Sequence, residues 1–255
     1  MITIIIILLA VLGAALGSFF NVLIHRLPQK QSIVYPPSHC DGCKKIIPFY
    51  LNIPIISYIL LGGKCRYCKA KIHWHHLLVE IITPVILVLL FFRYAYYGQY
   101  MLFLKYSLLC MFMIPIFFID AFHQIIPHKL SIPLLPLGLI FAMLPGNDVS
   151  LLEAFISAAV IFCFLVFIAY AYRFVRKTDG LGGGDIWLLT GIATFFGLVS
   201  MPYVVLISAL LGIIYFVFFV KNKEQGFAFG TFITFTAVIW SVFGTYNILN
   251  YIPFI

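Results

Sequence analysis

Apolar residues run in long blocks along this chain instead of alternating with polar ones. Blocks recur at about residues 2–24, 77–92, 101–119, 130–145, 152–172, 186–199, 201–220 and 227–247. At about 1.5 Å per residue, some 20 apolar residues in a helix cross the roughly 30 Å hydrocarbon layer of a bilayer. The pattern predicts an all-α polytopic membrane protein with about eight transmembrane helices. The second, fourth and sixth blocks fall short of the usual minimum of about 17 residues, which leaves their edges open. The 35 uncharged residues of 186–220 would overshoot the bilayer as one helix, so a hairpin is expected near Ser200-Met201-Pro202. The first block follows no basic residues and is longer than a secretory signal's apolar core, so it reads as a retained span.

Composition agrees. Hydrophobic residues make up 64% of the 255 and charged residues 9%, against about 45–50% and about 25% in a globular domain. The formal net charge is +8. Eight of the 16 basic residues lie between the first two blocks: Arg26, Lys30, Lys44, Lys45, Lys64, Arg66, Lys69 and Lys71. Basic loops stay cytoplasmic, so this segment is expected inside and the N-terminus outside. Threading eight spans from that start also puts Lys129, Arg173, Arg176, Lys177, Lys221 and Lys223 inside. Only Arg93 is expected in an outside loop, and Lys105 near the outer end of the third span. The basic residues flank spans and form no face with stacking aromatics, which argues against nucleic acid as a partner.

Three regions follow: a first transmembrane helix at 1–24, a cytoplasmic four-cysteine domain at 25–76, and a membrane-embedded domain at 77–255. The middle one is too short for a large core and needs a staple. Cys40-Asp41-Gly42-Cys43 and Cys65-Arg66-Tyr67-Cys68 supply two Cys-x-x-Cys pairs at a spacing suited to tetrahedral zinc. Redox pairs or free thiols are the competing reading. Four thiolates would close the coordination shell, so zinc here is structural. Cys110 and Cys163, inside apolar blocks, read as buried small hydrophobes.

Two acids stand out. Asp120 ends the third block, and Asp185 closes Gly180-Leu181-Gly182-Gly183-Gly184-Asp185 at the start of the sixth. The threading brings both to the cytoplasmic face. Two carboxylates close together in low dielectric tend to share one proton, so one can act as base on a water while the other polarises a carbonyl. Gly182 and Gly184 would let backbone approach an extended substrate. Either aspartate alone reads more simply as a cap or interfacial charge; the pair favours hydrolysis. A proton-coupled transporter using the same acids is the alternative, and a zinc-stabilised scaffold without chemistry is a third.

In combination the motifs resemble the bacterial type IV prepilin peptidases, intramembrane aspartyl proteases with a Gly-x-Gly-Asp motif. The likeness rests on Gly17-Ser18-Phe19-Phe20-Asn21 through Leu27-Pro28, the two cysteine pairs, Leu78-Val79-Glu80, and Ile119-Asp120 with Ile125-Ile126-Pro127-His128-Lys129-Leu130. Gly182-Gly183-Gly184-Asp185 and Phe229-Gly230 complete it. Ala228 and Thr231 stand where the family tends to have proline, and Trp187 where lysine is common. The resemblance implies Asp120 and Asp185 as the catalytic pair. It implies type IV pilin or pseudopilin precursors as substrates, cut at the cytoplasmic face of the bacterial inner membrane. It also implies N-methylation of the new N-terminus with S-adenosylmethionine. Glu80 then reads either as support for the substrate or methylation site, or as a partner for a nearby lysine or arginine. His73, His75 and His76 read as interfacial anchors beside Trp74, and Gly13 with Gly17 as a close helix-packing pair.

Overall fold

The computed structural model describes residues 2–178, 181–219 and 228–244. Gly180, Lys221 and Lys223 lie outside the described residues, as do the extremities of the apolar block at 227–247. Among the described residues the chain is helical, with two isolated β-bridges, His39–Ile46 and Lys64–Lys71. It divides into two compact units, Met1–Phe91 and Phe92–Ile255.

In the first unit, α1 (Ile2–Arg26) and α3 (Trp74–Arg93) are the long apolar helices, and a short α2 (Ile56–Leu60) lies in the segment that joins them. His25 and Arg26 close α1, where positive charge suits the negative end of the helix dipole. The two long helices meet backbone to backbone. A Cβ at Gly13 would lie 2.5 Å from Pro84 Cα, and one at Gly17 would lie 2.8 Å from Glu80 Cα. Small residues four apart therefore set this crossing. From residue 27 to 73 only Cys65 is buried.

The second unit holds α4 (Tyr100–His123), α5 (His128–Ser131), α6 (Leu134–Met143), α7 (Leu151–Arg176), α8 (Gly183–Phe219) and α9 (Phe229–Phe243). The α8 helix packs against α6, α7 and α9, and α4 packs against α9. Leu109, Met113, Ile116, Ile119, Leu188, Ile192, Phe195, Ile233 and Ala237 are fully buried. Ser150 caps α7, accepting from the Glu153 N–H at 3.2 Å, as a Ser-x-x-Glu start favours. Lys105 is fully buried and ion-paired to Asp148, which also accepts from the Tyr106 hydroxyl. A charge so placed persists only when paired.

Among the described residues five helices are long and apolar enough to cross a membrane: Ile2–Arg26, Trp74–Tyr97, Tyr100–His123, Leu151–Arg176 and Gly183–Phe219. Outward side chains such as Leu8, Val11, Phe164 and Phe167 are exposed, which suits lipid and not water. The protein is a multi-pass membrane protein. Two expectations need correction. The break in the long apolar run falls at Gly197 (φ 73°, ψ 169°), and Pro202 stays inside the helix. Glycine alone takes that φ without Cβ strain, whereas proline's fixed φ is helix-compatible. Cys163 is exposed on α7 while Cys110 is buried. A lipid-facing helix surface accommodates a small apolar side chain without burying it in protein.

Candidate active site and cysteine cluster

Asp120 sits in the last turn of α4 and Asp185 in the first turn of α8. Gln124, in the left-handed conformation (φ 55°), ends α4 by donating its N–H to the Asp120 carbonyl at 2.8 Å. That C-cap turns the chain into the Ile125–Pro127 connection. Asp185 begins α8 with its N–H donating to the Gly182 carbonyl at 3.0 Å. Proximity of the two acids is defined from several sides. They lie within electrostatic reach of each other, and Ile126 touches the neighbours of both. A Cβ at Gly184 would fall 2.8 Å from Ile126 Cβ; one at Gly230 would fall 2.6 Å from Ile126 Cδ1 and 3.1 Å from Asp120 Oδ2.

The two carboxylates are held differently. Asp120 is 3% exposed, and its Oδ2 accepts from the Thr231 N–H at 2.6 Å and the Thr231 hydroxyl at 2.9 Å. Asp185 Oδ1 is buried with no hydrogen-bond partner among the described residues. An aspartate in a first helical turn ordinarily spends its oxygens on free N–H groups. Here one oxygen is left unspent beside a second acid, the condition for binding a water or a shared proton.

Gly182 and Gly184 have separate contacts. Gly182 is exposed, and a Cβ there would approach Asp185 Oδ2 to 3.0 Å; Gly184 packs on Ile126. Thr231 and Gly230 lie against Asp120, and Ile126 lies between Gly230 and Gly184. Phe229-Gly230 is visible as a motif, but nothing in its spacing ties it to an acid more than 100 positions earlier.

In the first unit the four cysteine sulfurs all lie within 4.8 Å of one another, with Cys40 and Cys68 Sγ 3.7 Å apart. A tetrahedron with metal–sulfur arms of about 2.3 Å has edges of about 3.8 Å, so the cluster fits a metal ion. Its two halves are built alike. The Cys40 N–H donates to the Lys45 carbonyl (3.0 Å) and the Lys44 N–H to the Cys40 carbonyl (2.8 Å). The Cys65 N–H donates to Ala70 (2.8 Å) and the Lys69 N–H to Cys65 (3.1 Å). Lys44 (φ 56°) and Lys69 (φ 59°) close equivalent turns in the left-handed region. Backbone N–H groups of Cys68 and Tyr67 pull the Cys65 thiol down to about 6, whereas Cys68, despite the Ala70 N–H, is pushed up to about 11 by desolvation and the other three sulfurs. Glu80 also lies in this unit, its Oε2 accepting from the Ile55 N–H at 2.7 Å.

Residues 11–94 match the bacterial peptidase A24 N-terminal domain, and residues 107–217 match the type IV leader peptidase family. A prepilin leader peptidase/N-methyltransferase of Neisseria gonorrhoeae is 32% identical over 260 residues, covering 92% of this chain and 89% of the relative. One of Pseudomonas aeruginosa is 33% identical, covering 95% and 92%. One of Dichelobacter nodosus is 28% identical, covering 93% and 92%. No solved structure matches.

Proposed function

This chain belongs to the type IV leader peptidase family, a family of aspartic peptidases, and from that premise we propose that Asp120 and Asp185 cut the basic leader from type IV prepilin-like precursors. The observation that carries the reading is the pairing itself: two acids within electrostatic reach, one with a buried oxygen that has no hydrogen-bond partner among the described residues. The pair holds one proton. Its ionised member takes a proton from a water that attacks the scissile carbonyl; its protonated member donates to the developing oxyanion, and the leaving amine then collects a proton. Thr231 fixes Asp120 against rotation, exposed Gly182 leaves room for an extended peptide beside Asp185, and Gly184 admits the Ile126 side chain. Membership of a peptidase family leaves the proton-coupled transporter without support.

The topology supports this chemistry at the cytoplasmic face of the inner membrane. A 37-residue helix would be about 55 Å long, so the Gly197 break divides α8 into two spans. With the shorter apolar helices His128–Met143 and Phe229–Phe243, the five long helices become eight spans. The N-terminus is then outside, and the basic loops, the cysteine domain at 25–76 and both aspartates are inside. A precursor with its basic leader in the cytoplasm and its apolar helix in the bilayer presents the scissile bond at that depth. Residues 77–255 form the membrane-embedded protease.

Zinc is the ion that the four thiolates fit, bound by Cys40, Cys43, Cys65 and Cys68 as a structural site with no open position. The N-methyltransferase in the relatives' names supports a second activity here, methylation of the new N-terminus with S-adenosylmethionine as donor. Both halves are tested by co-expressing a precursor with Asp120→Asn or Asp185→Asn and following its cleavage in membranes. Loss in both supports the assignment; unchanged cleavage in either refutes it.

A further inference from the structure

The segment joining α1 to α3 wears its apolar residues outward. In α2, Ile56, Ile59 and Leu60 stand at i, i+3 and i+4 and so share one helix face; they are 54%, 65% and 80% exposed. Just before them Phe49 is 87% exposed and meets the Tyr50 ring edge-on, with centroids 5.7 Å apart. The polar groups of this stretch bond back onto the chain instead. The Ser57 hydroxyl oxygen accepts from the Ile53 N–H at 3.1 Å, and the Tyr58 hydroxyl donates to the Ile72 carbonyl at 3.4 Å. An apolar face of this kind calls for a cover other than water.

The fold limits where that cover can be. The Ile55 N–H donates to Glu80 Oε2 at 2.7 Å, which ties the start of α2 to α3. Glu80 lies six residues into α3 from Trp74, about 9 Å along the axis at about 1.5 Å per residue. Trp74 is 66% exposed, and a tryptophan at the end of a span sits at the headgroup level. The start of α2 is therefore held beside the turns of α3 that enter the bilayer.

Charge then selects the lipid. Seven basic side chains lie between residues 27 and 73, all of them exposed, and Asp41 is the single acid there. None of the seven is ion-paired among the described residues. Lys44 and Lys45 precede the apolar face and Lys64 follows it. Apolar side chains that enter the interface beside unpaired lysines are what an anionic phospholipid surface attracts. We propose that the face formed by Phe49, Ile56, Ile59 and Leu60 docks into the headgroup region of the anionic leaflet, with Lys44, Lys45 and Lys64 on the lipid phosphates. Docking lays the four-cysteine cluster against the membrane surface. The proposal goes beyond proteolysis and takes from the proposed function only the inside placement of residues 25–76, which names the leaflet.

The test uses full-length, metal-replete protein carrying Leu60→Trp, in nanodiscs of phosphatidylglycerol or of phosphatidylcholine. Emission is compared between plain lipids and lipids brominated high on the acyl chains, and the signal of the protein without the substitution is subtracted. In phosphatidylglycerol, bromine should quench the position-60 emission by at least about half, since an interfacial helix seats its apolar face about 5–10 Å deep. In phosphatidylcholine the quenching should be at least about twofold weaker, and raised salt should weaken it in the anionic discs. Joint replacement Lys44→Glu, Lys45→Glu and Lys64→Glu should weaken it likewise. Should that variant lose its metal, the lipid and salt comparisons decide alone. Unquenched, water-like emission would show the face bare, and unquenched, blue-shifted emission would show a protein surface covering it; either overturns the proposal. Equal quenching in both lipids at every salt concentration overturns it too, because the lysines then read no lipid charge. Nanodiscs offer both bilayer faces, so each of these results leaves the inside placement and the peptidase assignment standing.

Discussion

Around Asp120 and Asp185 the neighbours are helix backbone and close-set side chains: Gly184 and Gly230 against Ile126, and Thr231 against the Asp120 carboxylate. Around the four cysteines almost nothing is packed. From residue 27 to 73 only Cys65 is buried, and Val34, Phe49 and Leu60 are at least 80% exposed. The first site gains its geometry from helices whose backbone bonds are satisfied internally, with packing setting their spacing. The second has too little core to hold itself and takes its geometry from ligation. The two should therefore fail under different insults.

The strongest separation comes from the acids. Asp120→Asn and Asp185→Asn should each lower the cleavage rate by at least about 10³-fold, and the double variant should cost little more, since the acids act as one unit. Bound metal per chain should be unchanged. Next comes the metal. Cys40→Ser or chelation should strip amide-exchange protection from residues 37–72 and lower methyl transfer by about 10²-fold, with cleavage falling far less. Equal loss of both activities would show that the cysteine region also supports the protease, and would break the comparison.

Smaller effects sharpen it. Gly184→Ala would place a Cβ 2.8 Å from Ile126 Cβ; displacing Asp185 by part of an ångström should slow cleavage by about 10- to 100-fold without touching metal content. Thr231→Val removes one of two donors to Asp120 and should cost up to about tenfold in turnover, with Thr231→Ser restoring it.

Much of this was visible in the chain itself. Block lengths announce the long helices, and the cysteine spacing announces the cluster. What escaped was set by tertiary contact. Lys105 reads as a charge near the end of a span, yet Asp148, more than 40 positions away, buries it in an ion pair. Run length alone predicts a hairpin near Ser200-Met201-Pro202 and cannot single out Gly197, the residue three positions earlier that takes the required positive φ without Cβ strain. Thr231 looked like a departure from pattern, and its role as the Asp120 partner emerges only when α9 packs on α4.

The most direct measurement is the intact mass of a precursor's N-terminus after co-expression with wild-type, Asp120→Asn and Asp185→Asn protein in the same membranes. The account predicts a leaderless, methylated chain with the wild type and the full-length, unmethylated precursor with both variants. A shortened precursor in either variant at wild-type yield would contradict it.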